Sequence, residues 1–232
     1  MTSGGKVVIF GAGLMGRLVA DYLATDRAWE VAAFTAHERF ITAPSFEDRP
    51  VVPFETVERT YPPSAYAMFV ALSYAQGNRV RRQAYLDARA KGYRLASWIS
   101  PRARWIGLPA HGDNVFVAES TFQPRARLGS NVFVFSNNVI GHDAVIGDHC
   151  FISSGVAISG NVTVGQACFF GVNSCCRENV HIADGTVVGA GVTLLRSTKP
   201  ATMYVAQSPK ALTLDAGSDD FLVRPKFPVE GT

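Results

Sequence analysis

Residues 140–165 read IGHDAVIGDHCFISSGVAISGNVTVG, and their rhythm decides the fold. Ile140, Ile146, Ile152, Ile158 and Val164 recur at intervals of six. Outward from this stretch the same beat runs through Phe116, Phe122, Leu128 and Val134 on one side. On the other it runs through Phe170, Cys176, Ile182, Val188 and Leu194. Every one of these positions is apolar, and 47% of the chain is apolar, so chance would produce the series roughly a few times in 100,000. Four residues after each beat the residue is usually small or β-branched, as in Ala144, Cys150, Val156, Val162, Cys168, Ser174, Val180, Thr186 and Val192. Three such hexads, about 18 residues, close one triangular coil of parallel strands with both apolar positions turned inward. Asn161, Asn179, Gly141 and Gly185 fall at the corners, where a left-handed backbone costs Asn and Gly least.

Stacked coils supply a ruler, because residues 18 apart lie one above the other at about 4.8 Å. Cys150 and Cys168 share an inward column by this measure and read as packed thiols. His142, two residues past the beat at Ile140, points outward, and one coil on stands Gly160. An imidazole beneath a bare glycine amide suits acyl transfer. The ring takes a proton from the attacking group, and the amide donates to the oxyanion formed on a thioester carbonyl. Asp143, next along the corner, is placed to hold the ring in its basic tautomer. Glu178 lies two coils above, too far to serve as well. A zinc site needs three converging imidazoles, and His142, His149 and His181 fall on different parts of the coil, so no metal is expected.

The first hundred residues follow another pattern. Lys6–Phe10, Val31–Phe34, Ala67–Leu72 and Tyr93–Ile99 read as strands. Helical spacing follows Leu14, and a basic helix spans Asn78–Lys91 with Gly92 as its cap. This alternation predicts a small doubly wound parallel sheet. Gly11-Ala12-Gly13-Leu14-Met15-Gly16 is a GxGxxG turn between strand and helix, with glycines for the turn, for phosphate approach and for close packing. A dinucleotide, the phosphates of a nucleotide-sugar and plain packing all remain open readings. No acid stands directly at the second strand tip, Phe34-Thr35-Ala36-His37-Glu38, as a dinucleotide ribose would want.

Composition narrows the classes. The chain has 232 residues, 22 Lys+Arg, 19 Asp+Glu and four cysteines. Residues 1–105 hold 14 basic and 9 acidic side chains, the remainder 8 and 10. That mild bias fits a small phosphorylated ligand rather than nucleic acid, although a solvated basic helix over Arg79–Lys91 explains it equally well. No apolar run approaches a membrane span, no charged leader opens the chain, and cytoplasm is the expected location. Three segments are expected: an α/β Rossmann-like domain over 1–105, an all-β left-handed parallel β-helix over 106–212, and a tail over 213–232.

On GAGLMG, on IGHDAVIGDHCFISSGVAISGNVTVG and on FFGVNS beyond it, the chain resembles the bacterial nucleotide-sugar N-acetyltransferases and sialic-acid O-acetyltransferases. The resemblance implies acetyl-CoA as co-substrate, a nucleotide-sugar acceptor and a homotrimer. It also implies His142 as general base, Asp143 as its supporting acid and Gly160 as oxyanion donor. Acetyl-CoA contacts fall by it on Phe151, Val172, Ala190 and Lys210, with Arg196 or Lys199 near the last. Nucleotide-sugar contacts fall on Gly11, Gly13, Leu14, Met15 and Gly16. Two departures stand out: Phe151 occupies the place of a frequent second histidine, and Thr35-Ala36-His37-Glu38 replaces the aspartates usual after the second strand. The resulting expectation is transfer to a sugar amine. Transfer to a sugar hydroxyl and a non-catalytic nucleotide-binding trimer are the alternatives.

Overall fold

Val7, Val8 and Ile9 have no solvent exposure, because the strand they form is covered on both sides. This strand, β1 (Lys6–Phe10), lies inside a five-stranded sheet with β2 (Glu30–Ala36), β3 (Ser45–Phe46), β4 (Arg49–Pro53) and β5 (Tyr66–Val70). The computed structural model describes residues 5–26 and 29–207, so Lys210 and the tail from 213 lie outside the described residues. The strand order is β3-β4-β2-β1-β5, all parallel except the short β3. Val7 and Ile9 pack with Val19 and Leu23 of α1 (Leu14–Asp26). Val8 and Phe10 pack on the other side with Ala84, Tyr85 and Ala88 of α3 (Arg79–Ala90), and a short α2 (Val57–Thr60) completes the layer. Alternating apolar residues thus feed two layers, as a doubly wound sheet requires.

The expected strand Tyr93–Ile99 is divided. Leu95 makes a single bridge to Met68 beside β5, whereas Trp98–Ile99 pairs with Phe116–Val117 and forms the first rung of the prism. The β-helix therefore starts before residue 106.

The prism has three faces. The first carries rungs from Trp98–Ile99 through Phe116–Val117, Phe133–Val134, Phe151–Ile152, Phe169–Phe170 and Val187–Val188 to Met203–Tyr204. The second runs from Arg104–Trp105 to Thr193–Leu194, and the third from Arg127–Leu128 to His181–Ile182. The beat residues from Phe122 to Leu194 all point inward. Phe116 does not. Its pairing with Phe133 puts Val117 inside and turns the Phe116 ring outward, because the step from Val117 to Phe122 is five positions rather than six in this first coil. Cys150 and Cys168 occupy the core as expected, their thiols donating to the carbonyls of Gly165 and Ala183 at 3.1 and 3.2 Å. Burial holds Cys150 protonated well above the usual thiol range.

Twelve successive corners place the third residue after the beat in the left-handed region, with φ between 55° and 74°. Asn161, Asn179 and Gly185 are among them, and Arg125, His149 and Ala167 are unusual occupants. Gly141 is not among them. A Cβ there would fall 2.5 Å from the Gly160 nitrogen, so it is close approach between coils that requires glycine.

The sheet domain sits on the first face. Phe116, Phe133, Phe151 and Phe169 stack there with ring centroids 5.5 to 5.9 Å apart. Arg81, in the basic helix, is fully buried rather than solvated. Its guanidinium lies 4.9 Å from the Phe133 ring and donates to the carbonyls of His149 and Cys150 at 2.7 and 3.0 Å. Burial lowers its pKa to about 9, still charged at neutral pH. Asn78 donates to Ala167 and Cys168, and Asn114 exchanges hydrogen bonds with Val70 at the end of β5. These polar bonds satisfy backbone groups that the docked aromatic surface would otherwise leave dry.

Candidate active site

His142 lies on the corner between the second and third faces. Its side chain is 56% exposed, and its Nδ1 lies 2.9 Å from Asp143 Oδ2. The imidazole packs under Gly160: a Cβ built there would meet the ring, 2.7 Å from Cε1 and 2.8 Å from Cδ2. The Asn161 amide donates to the His142 carbonyl at 2.8 Å, which fixes the upper coil over the lower. Among the described residues the Gly160 amide has no hydrogen-bond acceptor. The three residues expected to share a site are thus brought together. A ring nitrogen held by a carboxylate leaves its other nitrogen free to take a proton, beside a donor free for an oxyanion.

The partner of Asp143 was not among the expected site residues. Arg125, 18 residues earlier, meets its carboxylate with two prongs, Nε to Oδ1 at 2.5 Å and a terminal nitrogen to Oδ2 at 2.8 Å. Arg125 first, and His142 second, hold the Asp143 carboxyl far below the ordinary carboxylate range. The stacking ruler would have found this pair. Glu178 stands in the same column above Gly160 but pairs with Arg177 at 3.2 Å.

Val172 and Ala190 form one exposed column, tied by the Gly191 amide donating to the Val172 carbonyl at 2.9 Å. They occupy the corner between the first and second faces, a different vertex from His142. Arg196 stands two residues past Leu194, in the His142 column instead. Phe151 is 4% exposed, because it points outward on the first face and the sheet domain covers it with Tyr74 and Arg81. Phe151, expected beside acetyl-CoA, thus stands in the seam between the sheet domain and the prism.

A cavity of about 1020 Å³ opens at the carboxyl ends of β1, β2 and β5, where open α/β sheets take ligands. Gly11, Gly13, Leu14 and Met15 line it, with Arg39 and Arg79 supplying positive charge. Gly16 is turned into the fold, its Cα pressed against the Gly11 carbonyl. Among the described residues its amide has no acceptor, like those of Leu14 and Met15 in the first turn of α1. At the β2 tip His37 lines the cavity, its Nδ1 2.9 Å from Glu55 Oε1. Glu55, which also accepts from the Glu38 amide at 3.1 Å, thus brings an acid beside the strand tip without lining the cavity.

His149 is buried, accepts from Asn131 at 2.9 Å, and has its pKa lowered by burial to about 4. Among the described residues no group of three or more His, Cys, Asp or Glu is placed to hold a metal ion. Nor is any helix among them long and apolar enough to cross a membrane.

Residues 125–160 match the bacterial transferase hexapeptide family (six repeats). No curated protein matches the chain in sequence. Among solved structures, PerB from Caulobacter crescentus, in complex with CoA and GDP-perosamine, is 27% identical. That alignment covers 86% of this chain and 93% of the other, with a TM-score of 0.76. The acetyltransferase domain of PglB from Neisseria gonorrhoeae FA1090, in complex with acetyl coenzyme A, is 24% identical, with 86% and 95% covered and a TM-score of 0.76. WeeI from Acinetobacter baumannii AYE shares the fold at 16% identity, with 86% and 96% covered and a TM-score of 0.74. The chain carries the bacterial transferase hexapeptide repeat and is similar over most of its length to the perosamine N-acetyltransferase from Caulobacter crescentus.

Proposed function

We propose that this acetyl-CoA-dependent sugar acetyltransferase moves the acetyl group to the amine of a nucleotide-linked amino sugar. The observation that carries the reading is the His142 ring, held by Asp143 and seated beneath the free amide of Gly160. His142 takes the proton as the amine adds to the thioester carbonyl. Gly160 donates to the oxyanion, and collapse of the tetrahedral intermediate expels the coenzyme thiolate, which recovers the proton from His142. The N-terminal cavity holds the nucleotide. Its phosphates meet the first-turn amides of α1, and Arg39 and Arg79 offset their charge.

The reading also calls for a second copy. The cavity is walled by the segment around Ser73, whose neighbour Tyr74 lies on Phe151 and Phe169 of the first face. The Val172–Ala190 column borders that face, and His142 occupies the vertex opposite it. A coenzyme along the column and a sugar from the cavity meet a base only if another chain supplies its His142. A closed trimer provides this, and a donor drawn from the acetyl-CoA pool places the reaction in the cytoplasm.

The test is thiol release from acetyl-CoA with GDP-perosamine and other nucleotide-linked amino sugars, set against their hydroxyl counterparts. Turnover only with amines is expected, and its loss in His142→Asn. Turnover confined to hydroxyl acceptors, or an unimpaired His142→Asn enzyme, would overturn the reading.

A further inference from the structure

Along the corner that carries His142, one column of the prism holds Arg125, Asp143, Asn161 and Asn179, spaced by 18 residues. All four have left-handed backbones, with φ of 65°, 59°, 57° and 61°. Asn and Asp accept that conformation readily, whereas an unbranched cationic side chain gains nothing from it. The upper members form a neutral ladder, Asn161 Nδ2 donating to Asn179 Oδ1 at 2.7 Å. The lowest rung is instead the two-pronged ion pair of Arg125 with Asp143. Asp143 Oδ2 is shared: it accepts from Arg125 at 2.8 Å and faces His142 Nδ1 at 2.9 Å. Arg125 thus departs from the residue its backbone favours and spends its side chain on the carboxylate that holds the ring. Strained positions kept in this way cluster at functional sites.

We propose that Arg125 is a positioning residue for the transfer reaction, locking the Asp143 carboxylate onto His142 Nδ1 and cancelling its charge so that the ring is oriented without being held protonated. The proposal rests on the reading of His142 as the base. A lone Asp143 would orient the ring but also favour imidazolium, and a protonated ring accepts no proton. The charged groups facing His142 from neighbouring coils are Arg125 below, Glu178 paired with Arg177 above, and Arg196 one coil higher; Gln123 Oε1 accepts the His142 backbone amide at 3.0 Å. Arg125 is the only one of these bonded to Asp143 among the described residues.

The experiment follows the His142 imidazole by NMR across pH in the full-length protein, with the resonance assigned by its loss in His142→Asn. Arg125→Asn suits the backbone and keeps a neutral rung, so its melting temperature should equal or exceed that of the parent. Its His142 midpoint should rise by about half a pH unit, as expected for one unmasked charge near 4 to 6 Å in a wet site. Arg125→Lys keeps the charge but not the fork, so the midpoint should stay while thiol release with acetyl-CoA and GDP-perosamine falls about tenfold. A midpoint unmoved in Arg125→Asn overturns the proposal, as does full turnover in both variants. If His142→Asn itself retains turnover, the base assignment falls first. If that variant is dead and Arg125→Asn behaves as the parent, only the role of Arg125 falls.

Discussion

Replacing Gly160 by Ala separates catalysis from stability at the histidine corner. The new methyl carbon would sit 2.7 Å from His142 Cε1 and 2.8 Å from Cδ2. Carbon atoms rest near 3.5 to 4.0 Å, so the ring must yield by about 1 Å. It can do so cheaply, because it is the end of a side chain that is more than half exposed. The Gly160 backbone lies outside the left-handed region, so Ala is not strained there. Losing glycine from the unfolded chain returns about 0.4 to 1 kcal/mol, and net stability should change by about 0.5 kcal/mol or less. Activity should not be spared. A displacement near 1 Å costs about a hundredfold, or roughly 2.7 kcal/mol of transition-state stabilisation at 1.36 per factor of ten. The assays are thiol release at saturating acetyl-CoA and a thermal melt on the same sample. A Gly160→Ala enzyme with parental kcat would refute the reasoning, since its amide is retained and only the ring has moved.

Glycines of the GxGxxG turn should divide sharply. Gly16→Ala drives a methyl into the Gly11 carbonyl, 2.9 Å from its carbon, and should destabilise by about 3 kcal/mol or more, whereas Gly13→Ala meets nothing within 4 Å and should melt as the parent. Gly13→Ala should nonetheless lose much of the thermal stabilisation that added GDP confers, which a melt with and without nucleotide measures. Arg81→Met strips buried carbonyls of their donor and should cost about 3 kcal/mol, lowering the melting temperature by roughly 6 to 12 °C. His149 titrates near 4 when folded and near its ordinary value when unfolded. The unfolded state therefore takes up its proton first, so stability is held above pH ~6.5 and lost as pH falls toward 4. Denaturant titrations across that window should show a flatter dependence in His149→Asn, which keeps a side chain suited to the left-handed corner.

The prism was legible because each beat residue must be apolar to close a coil, and that demand repeats without reference to distant parts of the chain. Phe116 misled for a local reason: Phe116 and Val117 are both apolar, and the first coil is one residue short, so the beat alone could not choose between them. Phe151 and Arg81 were opaque for a global one, since their burial depends on a separate domain lying on the first face. The edge of the sheet was missed as well. Pro50 and Pro53 argue against a strand, and β4 tolerates them near the sheet margin, flanked by the two-residue β3. At the histidine corner the triad His142, Asp143 and Gly160 followed from spacing. Glu55 did not, because the short 3-10 turn Phe54–Thr56 after β4, rather than a coil, brings it to His37.

The coil register also limits how this polypeptide can change length. His142 and Gly160 face each other because one circuit of the prism separates them. Deleting two or three residues between them would rotate every later rung, burying polar corners and exposing the aliphatic interior. Evolution and engineering alike must either extrude extra residues as a side loop at a vertex or trade in whole circuits, as a screw admits only full threads.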